Sequence, residues 1–235
     1  MGIFGNYLRI FSLLKIIILN IFLFFRKDNT MGRVKNISGG GANTNKNGLQ
    51  FEQDTDLKKA FEESEFDVKR MPPITINKKT DKSYEVYSIS KGDKLFGYVM
   101  QKHNLYRHFG LNEYEDAVNK IAKWQKLISR QLLPDDVFYN VNEKTLYIIE
   151  KKFQSGPGSV DEKLQTFGFK LYEYNKLFKA ETGIKNIKYY YLLSNFYNDV
   201  KYKDILEYIK KDEKCGYYFE QLPLSAIGIK EELNE

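Results

Sequence analysis

The sequence predicts an α/β fold with a central mixed sheet flanked by helices, and three observations predict it. Residues 137–141 and 145–153 read as two strands joined by a tight polar turn at Asn142-Glu143. Residues 164–178 repeat apolar side chains at helical spacing. Residues 187–194, IKYYYLLS, then give an apolar run of strand length. Helix, hairpin, helix and strand in that order is an α/β pattern with a mixed sheet.

Taken along the chain, residues 37–48 (ISGGGANTNKNG) are rich in glycine and asparagine and read as a loop, from which Asn47 can cap a helix over about 49–64. Pro72-Pro73 closes the segment after that helix. Residues 84–89 and 95–100 read as short strands, with Lys91-Gly92-Asp93 as the turn between them. Asn112 with Glu115 three residues on resembles a capping box and predicts a helix to about Leu132, in which Tyr114, Val118, Ile121, Ile128 and Leu132 return at helical spacing. Leu133-Pro134 stops it. After the hairpin, Ser159 or Asp161 caps a long helix whose Leu164, Phe167, Leu171, Tyr174 and Phe178 make one apolar stripe ending at Gly183. A short helix over 202–211 closes the series.

The 235 residues hold one cysteine, Cys215, and two histidines, His103 and His108. No internal disulfide, zinc ribbon or iron–sulfur cluster can be built from them, and a reducing cytoplasmic setting fits. Any metal chemistry has to run on carboxylates. The net charge of +6 is concentrated at the start, where Arg9, Lys15, Arg26 and Lys27 against Asp28 supply +3. The remaining balance is too weak to argue for nucleic acid from global electrostatics, so a case for DNA has to come from a site.

Residues 1–30 form an apolar leader. Lys15 and Asn20 divide its apolar segment, so a spanning helix would need Lys15 to snorkel, and Arg26-Lys27-Asp28 stands where a signal-peptide cleavage site would be. Of these thirty residues 22 are Phe, Ile, Leu, Asn, Lys or Tyr, all read from A/T-rich codons, as an untranslated leader read in frame would be. The expectation is a functional unit of one domain over 31–235 beginning at Met31, with 1–30 untranslated or a weak membrane segment.

The informative geometry lies in the hairpin. A two-residue turn at Asn142-Glu143 pairs Tyr139 with Leu146, Val137 with Ile148 and Asp135 with Glu150. Side chains directly opposite in an antiparallel pair sit roughly 4.5–5.5 Å apart on one face, so two acids there repel unless a cation lies between them. Lys152, two residues beyond Glu150, projects from the same face, whereas Asp136 and Lys151 point the other way. A three-residue turn would exchange the roles of Asp135 and Asp136. Two hard oxygen ligands beside an open position suit Mg²⁺, and a lysine beside them suits phosphodiester hydrolysis. Spacing alone equally allows Asp135 to cap a strand entry, with Glu150 and Lys152 as surface residues of an edge strand.

Pro134-Asp135 followed by Glu150-Lys151-Lys152 resembles the PD-(D/E)XK motif of the restriction-endonuclease-like nucleases. GGGANTNKNGLQFE at 39–52 and EKKFQSGPGSVDEKLQT at 150–166 are similar to type II restriction endonucleases in particular, and the similarity extends over about 31–229. The resemblance implies a restriction-endonuclease-like core and Mg²⁺-dependent cleavage of double-stranded DNA that leaves 5′-phosphates, commonly by a homodimer, with a cognate DNA methyltransferase as functional partner. It implies that Asp135, Glu150 and the main-chain carbonyl of Lys151 bind the metal, that Lys152 positions the attacking water, and that Glu52 is the helical acid many such nucleases add to the site. Another nuclease on this fold, such as a Holliday-junction resolvase or repair nuclease, and an inactive DNA-binding or membrane-anchored protein are the rivals.

Two glycine loops precede helix N-termini. Asn43, Asn45, Lys46 and Asn47 in the first, and Gly158 and Ser159 in the second, are the expected DNA contacts through side-chain and backbone donors. The first has no P-loop spacing, which argues against nucleotide triphosphate binding. Lys102 and Arg107 are further candidates for phosphate contact. His103, Asn104 and His108 lie too close together for the HNH class. Gln154 continues the strand face of Glu150, either supporting the site or solvated, and Tyr189-Tyr190-Tyr191 reads as core packing.

Overall fold

A computed structural model describes residues 41–154, 161–178 and 182–230, all within a compact unit over 41–235. The expectations for residues 1–30 lie outside the described residues. Among the described residues no helix is long and apolar enough to cross a membrane.

The helices are α1 (Gly41–Asp54), α2 (Leu57–Glu62), α3 (Asn104–His108), α4 (Lys123–Leu127), α5 (Asp161–Leu164), α6 (Phe167–Phe178) and α7 (Lys203–Lys210). The strands are β1 (Asp67–Arg70), β2 (Ile74–Ile76), β3 (Lys79–Asp81), β4 (Val86–Lys91), β5 (Lys94–Met100), β6 (Tyr114–Asp116), β7 (Ile121–Ala122), β8 (Asp136–Asn140), β9 (Thr145–Lys152), β10 (Asn186–Leu193) and β11 (Cys215–Phe219). Seven strands make the central sheet, in the order β1-β4-β5-β8-β9-β10-β11. The pairs from β1 to β9 are antiparallel, and β10 runs parallel to both β9 and β11. The sheet is therefore mixed and helix-flanked, as expected. Asn186–Leu193 is buried along almost its whole length because strands pair on both sides and helices cover both faces.

Strand alternation splits the core in two. Val137, Leu146, Ile148, Tyr189 and Tyr191 face α6, which inserts Phe167, Leu171, Tyr174 and Phe178. Phe138, Tyr147, Ile149 and Leu192 face the other way, against Phe51 of α1 and Leu57 and Phe61 of α2. Gly97 lets β5 close on β8, since a Cβ there would lie 2.0 Å from the Tyr139 carbonyl oxygen.

Four expectations need correction. Residues 41–48 are helical, so Asn47 lies inside α1 and is not its cap. The predicted helix over 49–64 is two helices, because the Asp56 carboxylate accepts the Lys59 N–H at 3.0 Å and starts α2 afresh. The predicted helix from Asn112 to about Leu132 is absent, and only the short α4 lies in that stretch. There the Asp116 carboxylate accepts the backbone N–H groups of Val118 and Asn119, both at 3.0 Å, which turns the chain into the β6–β7 hairpin and leaves Val118 90% exposed. The helix over 161–178 breaks between α5 and α6. β1, the β2–β3 and β6–β7 hairpins and β11 are strands that the sequence pattern does not single out.

Candidate active site

The β8–β9 hairpin sets the site. Its register pairs Asp136 with Ile149, Val137 with Ile148, Tyr139 with Leu146 and Asn140 with Thr145, as the turn argument requires. The turn itself is wider than two residues and spans 141–144. Asn140 Oδ1 accepts the N–H groups of Asn142 and Glu143, both at 3.1 Å, and Lys144 takes a φ of 51°. Asp135 lies one residue before β8. Its carboxylate accepts the Lys151 N–H at 2.8 Å and so stands where the strand ladder would otherwise continue. Register alone thereby decides between the two acids: Asp135 belongs to the Glu150 cluster and Asp136 does not.

Glu150 and Lys152 project from the face that α6 covers. Glu150 Oε1 accepts two ammonium groups, Lys152 Nζ at 2.7 Å and Lys170 Nζ at 2.8 Å. Lys152 Nζ also donates to the main-chain oxygen of its neighbour Lys151 at 3.0 Å. Burial first, and then the negative charge of Glu150, push the Asp135 carboxyl up to about 6, with Lys152 and the Lys151 N–H offsetting part of the effect. Glu150 is displaced in the other direction: burial alone would raise it, but Lys152 and Lys170 together hold it below the usual carboxylate range. The two acids thus share one cluster unequally. Glu150 accepts both ammonium groups directly, whereas Asp135 is hydrogen-bonded by a backbone N–H and is offset by Lys152 only through its charge.

The opposite face carries a closed network. Lys151 Nζ and Asp136 Oδ2 pair at 2.7 Å, with both side chains almost wholly buried. Asp136 also accepts the Leu57 N–H at 3.1 Å and the Gln101 amide at 2.7 Å, and Lys151 Nζ donates to the Glu52 main-chain oxygen at 2.9 Å. These bonds pin the end of α1 and the start of α2 to the hairpin. Glu52 is thereby brought close enough for its charge to contribute to the rise at Asp135, although among the described residues no hydrogen bond joins its carboxylate to Asp135, Glu150 or Lys152.

No family model, curated protein or solved structure matches the chain. What the site can do is decided by its own geometry. Among the described residues no three acidic, histidine or cysteine side chains gather closely enough to hold a metal by themselves. The donors that fit a cation are two carboxylates, Asp135 and Glu150, with the Lys151 carbonyl. The Lys152 ammonium lies beside this set, within hydrogen-bond distance of the Glu150 carboxylate and the Lys151 carbonyl. A hard, all-oxygen set of this kind that leaves positions for water suits Mg²⁺.

The expected DNA contacts fare unevenly. Lys46 and Asn47 lie on α1, the helix that carries Glu52, with Lys46 exposed. The side chains of Asn43 and Asn45, and all of Gly158 and Ser159, lie outside the described residues. Arg107 is not free for phosphate, being paired with Asp81 at 2.9 Å. Gln154 is buried rather than solvated, its main chain joined to the Ser194 hydroxyl. Sequence reasoning misses Lys170. Its one signal is a polar residue inside the apolar stripe of α6, beside Leu171, and a polar residue at a stripe's edge looks the same whether it reaches solvent or a carboxylate.

Proposed function

We propose that this chain is a Mg²⁺-dependent nuclease of the PD-(D/E)XK type, acting as a type II restriction endonuclease on double-stranded DNA. The observation that supports it most is the meeting of Asp135, Glu150 and Lys152 at one end of one hairpin, with Asp135 left short of positive charge. Asp135, Glu150 and the Lys151 carbonyl would hold the ion. When bound, Mg²⁺ would polarise a non-bridging phosphate oxygen and acidify the attacking water.

The chain's own groups do the rest. Lys152, tethered between Glu150 and the Lys151 carbonyl, offers an ammonium donor that orients the water and offsets charge growing on the phosphate oxygens. Before the ion binds, Lys170 helps to hold Glu150 ionised. The water oxygen joins phosphorus, the bond to O3′ breaks, one water proton passes to solvent and O3′ takes up another, giving a 5′-phosphate and a 3′-hydroxyl. Lys46 and Asn47 on α1 would meet the DNA flanking the cut, and a homodimer reading a palindrome, beside a cognate methyltransferase, is the assembly and setting this reading requires.

The test uses the full chain on supercoiled plasmid with Mg²⁺ or with EDTA. Discrete fragments bearing 5′-phosphates are expected with Mg²⁺ alone. Glu150→Ala and Lys152→Ala should each cost at least about a hundredfold in rate, with DNA affinity unchanged or improved in Glu150→Ala because a negative charge near the phosphates is gone. Cleavage that survives Glu150→Ala overturns the assignment. Cutting confined to branched DNA replaces restriction with junction resolution.

A further inference from the structure

Glu150 Oε1 is engaged by two ammonium groups at once, and a divalent cation brought to this carboxylate is repelled by both. The two lysines are not equivalent. Lys152 has a second acceptor on its own strand, the Lys151 carbonyl, and stays anchored if Glu150 turns away. Lys170 arrives from α6, and among the described residues Glu150 is its only acceptor.

One turn further along α6 is Glu173. Residues three apart on a helix are neighbours on its surface. Glu173 is only 8% exposed, yet no hydrogen bond or ion pair reaches its carboxylate among the described residues. Its carboxylate is therefore able to accept a donor that comes within reach. The helix is fixed by Phe167, Leu171, Tyr174 and Phe178 in the core, so a change of partner for Lys170 needs only side-chain rotation. Nothing in the proposed reaction uses Glu173.

We propose that Lys170 is a displaceable counter-ion of the metal site, bound to Glu150 in the metal-free protein and transferred to Glu173 when a divalent cation takes Glu150. This exchange rests on the metal-site reading of Asp135 and Glu150. Its physical content is a transfer of charge. With Lys170 on Glu150, the pocket has one ammonium for each carboxylate and little attraction for a further cation. With Lys170 on Glu173, Asp135 and Glu150 face Lys152 alone, and the pocket holds the excess negative charge that a divalent ion requires. Lys170 and Glu173 are thus positioning residues, and Glu173 acts only through Lys170.

The experiment measures Mg²⁺ binding to the full chain without DNA, by calorimetric titration with MgCl₂. Lys170→Met keeps the aliphatic stem and removes the competing ammonium, so Mg²⁺ should bind about tenfold more tightly, the effect of releasing one charge-assisted hydrogen bond. Glu173→Gln removes the alternative anchor and should weaken binding several-fold. The double variant should bind Mg²⁺ as Lys170→Met alone does, a non-additivity that a merely structural Glu173 would not produce. Lys170→Gln serves as a second variant should the methionine form fail to fold. Unchanged or weaker binding in the Lys170 variants, or an equal loss from Glu173→Gln with and without Lys170, overturns the counter-ion. If the unsubstituted chain binds no Mg²⁺, the metal-site reading falls with it. If it binds Mg²⁺ through Glu150, with binding lost in Glu150→Gln, and Lys170→Met has no effect, the counter-ion alone falls.

Discussion

Two clusters built from the same residue types lie back to back across the end of the β8–β9 hairpin. On one face Asp136 and Lys151 form a buried pair whose remaining capacity is filled by Leu57, Gln101 and the Glu52 carbonyl. On the other, Asp135, Glu150 and Lys152 form a cluster in which one acid carries two lysines and the other is met by a backbone N–H. The chain reaches both with consecutive residues, because alternate side chains of a strand leave on opposite faces. A satisfied pair in a dry interior is a structural joint, whereas an unequal sharing of cations leaves charge for a ligand to answer. Residue type does not separate the two clusters. Satisfaction does.

The largest expected effect comes from breaking the satisfied side. Asp136→Ala strands Lys151 as a buried, unpaired cation and should lower unfolding free energy by about 3–5 kcal/mol, measured by denaturant titration. A loss comparable to that of an exposed charge would mean that the network is not closed.

On the other face an acid-to-amide change should work in reverse. The folded-state pKa of Asp135 lies at about 6, above its ordinary value. Its contribution is therefore fully present at pH below the ordinary carboxylate range and is lost as pH rises through about 6. At neutral pH the metal-free protein bears that cost, so Asp135→Asn should stabilise it by about 1–3 kcal/mol and flatten the fall in stability between the ordinary carboxylate range and pH 6. Denaturant titrations across that range check it, and destabilisation at neutral pH would show that Asp135 is already compensated.

Glu150 should behave with the opposite sign. Its folded pKa is lowered, so its contribution is present above the ordinary carboxylate range and disappears as pH falls through the lowered value. Glu150→Gln should cost about 1–2 kcal/mol at neutral pH through the two charge-assisted bonds it weakens. The smallest effect is that of the ion itself: about 10 mM Mg²⁺ should raise the melting temperature by a few degrees, and by nothing in Asp135→Asn. Equal shifts in both proteins would place the ion elsewhere.

Much of this arrangement is legible in the order of residues. The polar turn at 142–143 and the alternation on either side of it give the register of the hairpin, and with it the separation of Asp135, Glu150 and Lys152 from Asp136 and Lys151. The stripe from Leu164 to Phe178 marks the helix face that meets the sheet. The stretch after Asn112 shows where periodicity misleads. Tyr114, Val118 and Ile121 fit a helical template, but the Asp116 carboxylate binds the backbone N–H groups two and three residues on, and that local competition decides for a turn. β1 and β11 are short strands completed by pairing at the sheet's two edges, so their own residues carry little signal.

The sequence by itself determined which side chains share a face, because strand alternation is a property of consecutive residues and needs nothing from the rest of the chain. Tertiary structure alone decided how each charge is answered: Lys170 reaches Glu150 from a helix twenty residues away, and Leu57 and Glu52 close the network around Asp136 and Lys151 from the far side of the sheet. Those partners depend on how helices dock, and docking is set by the summed fit of two cores rather than by any local pattern.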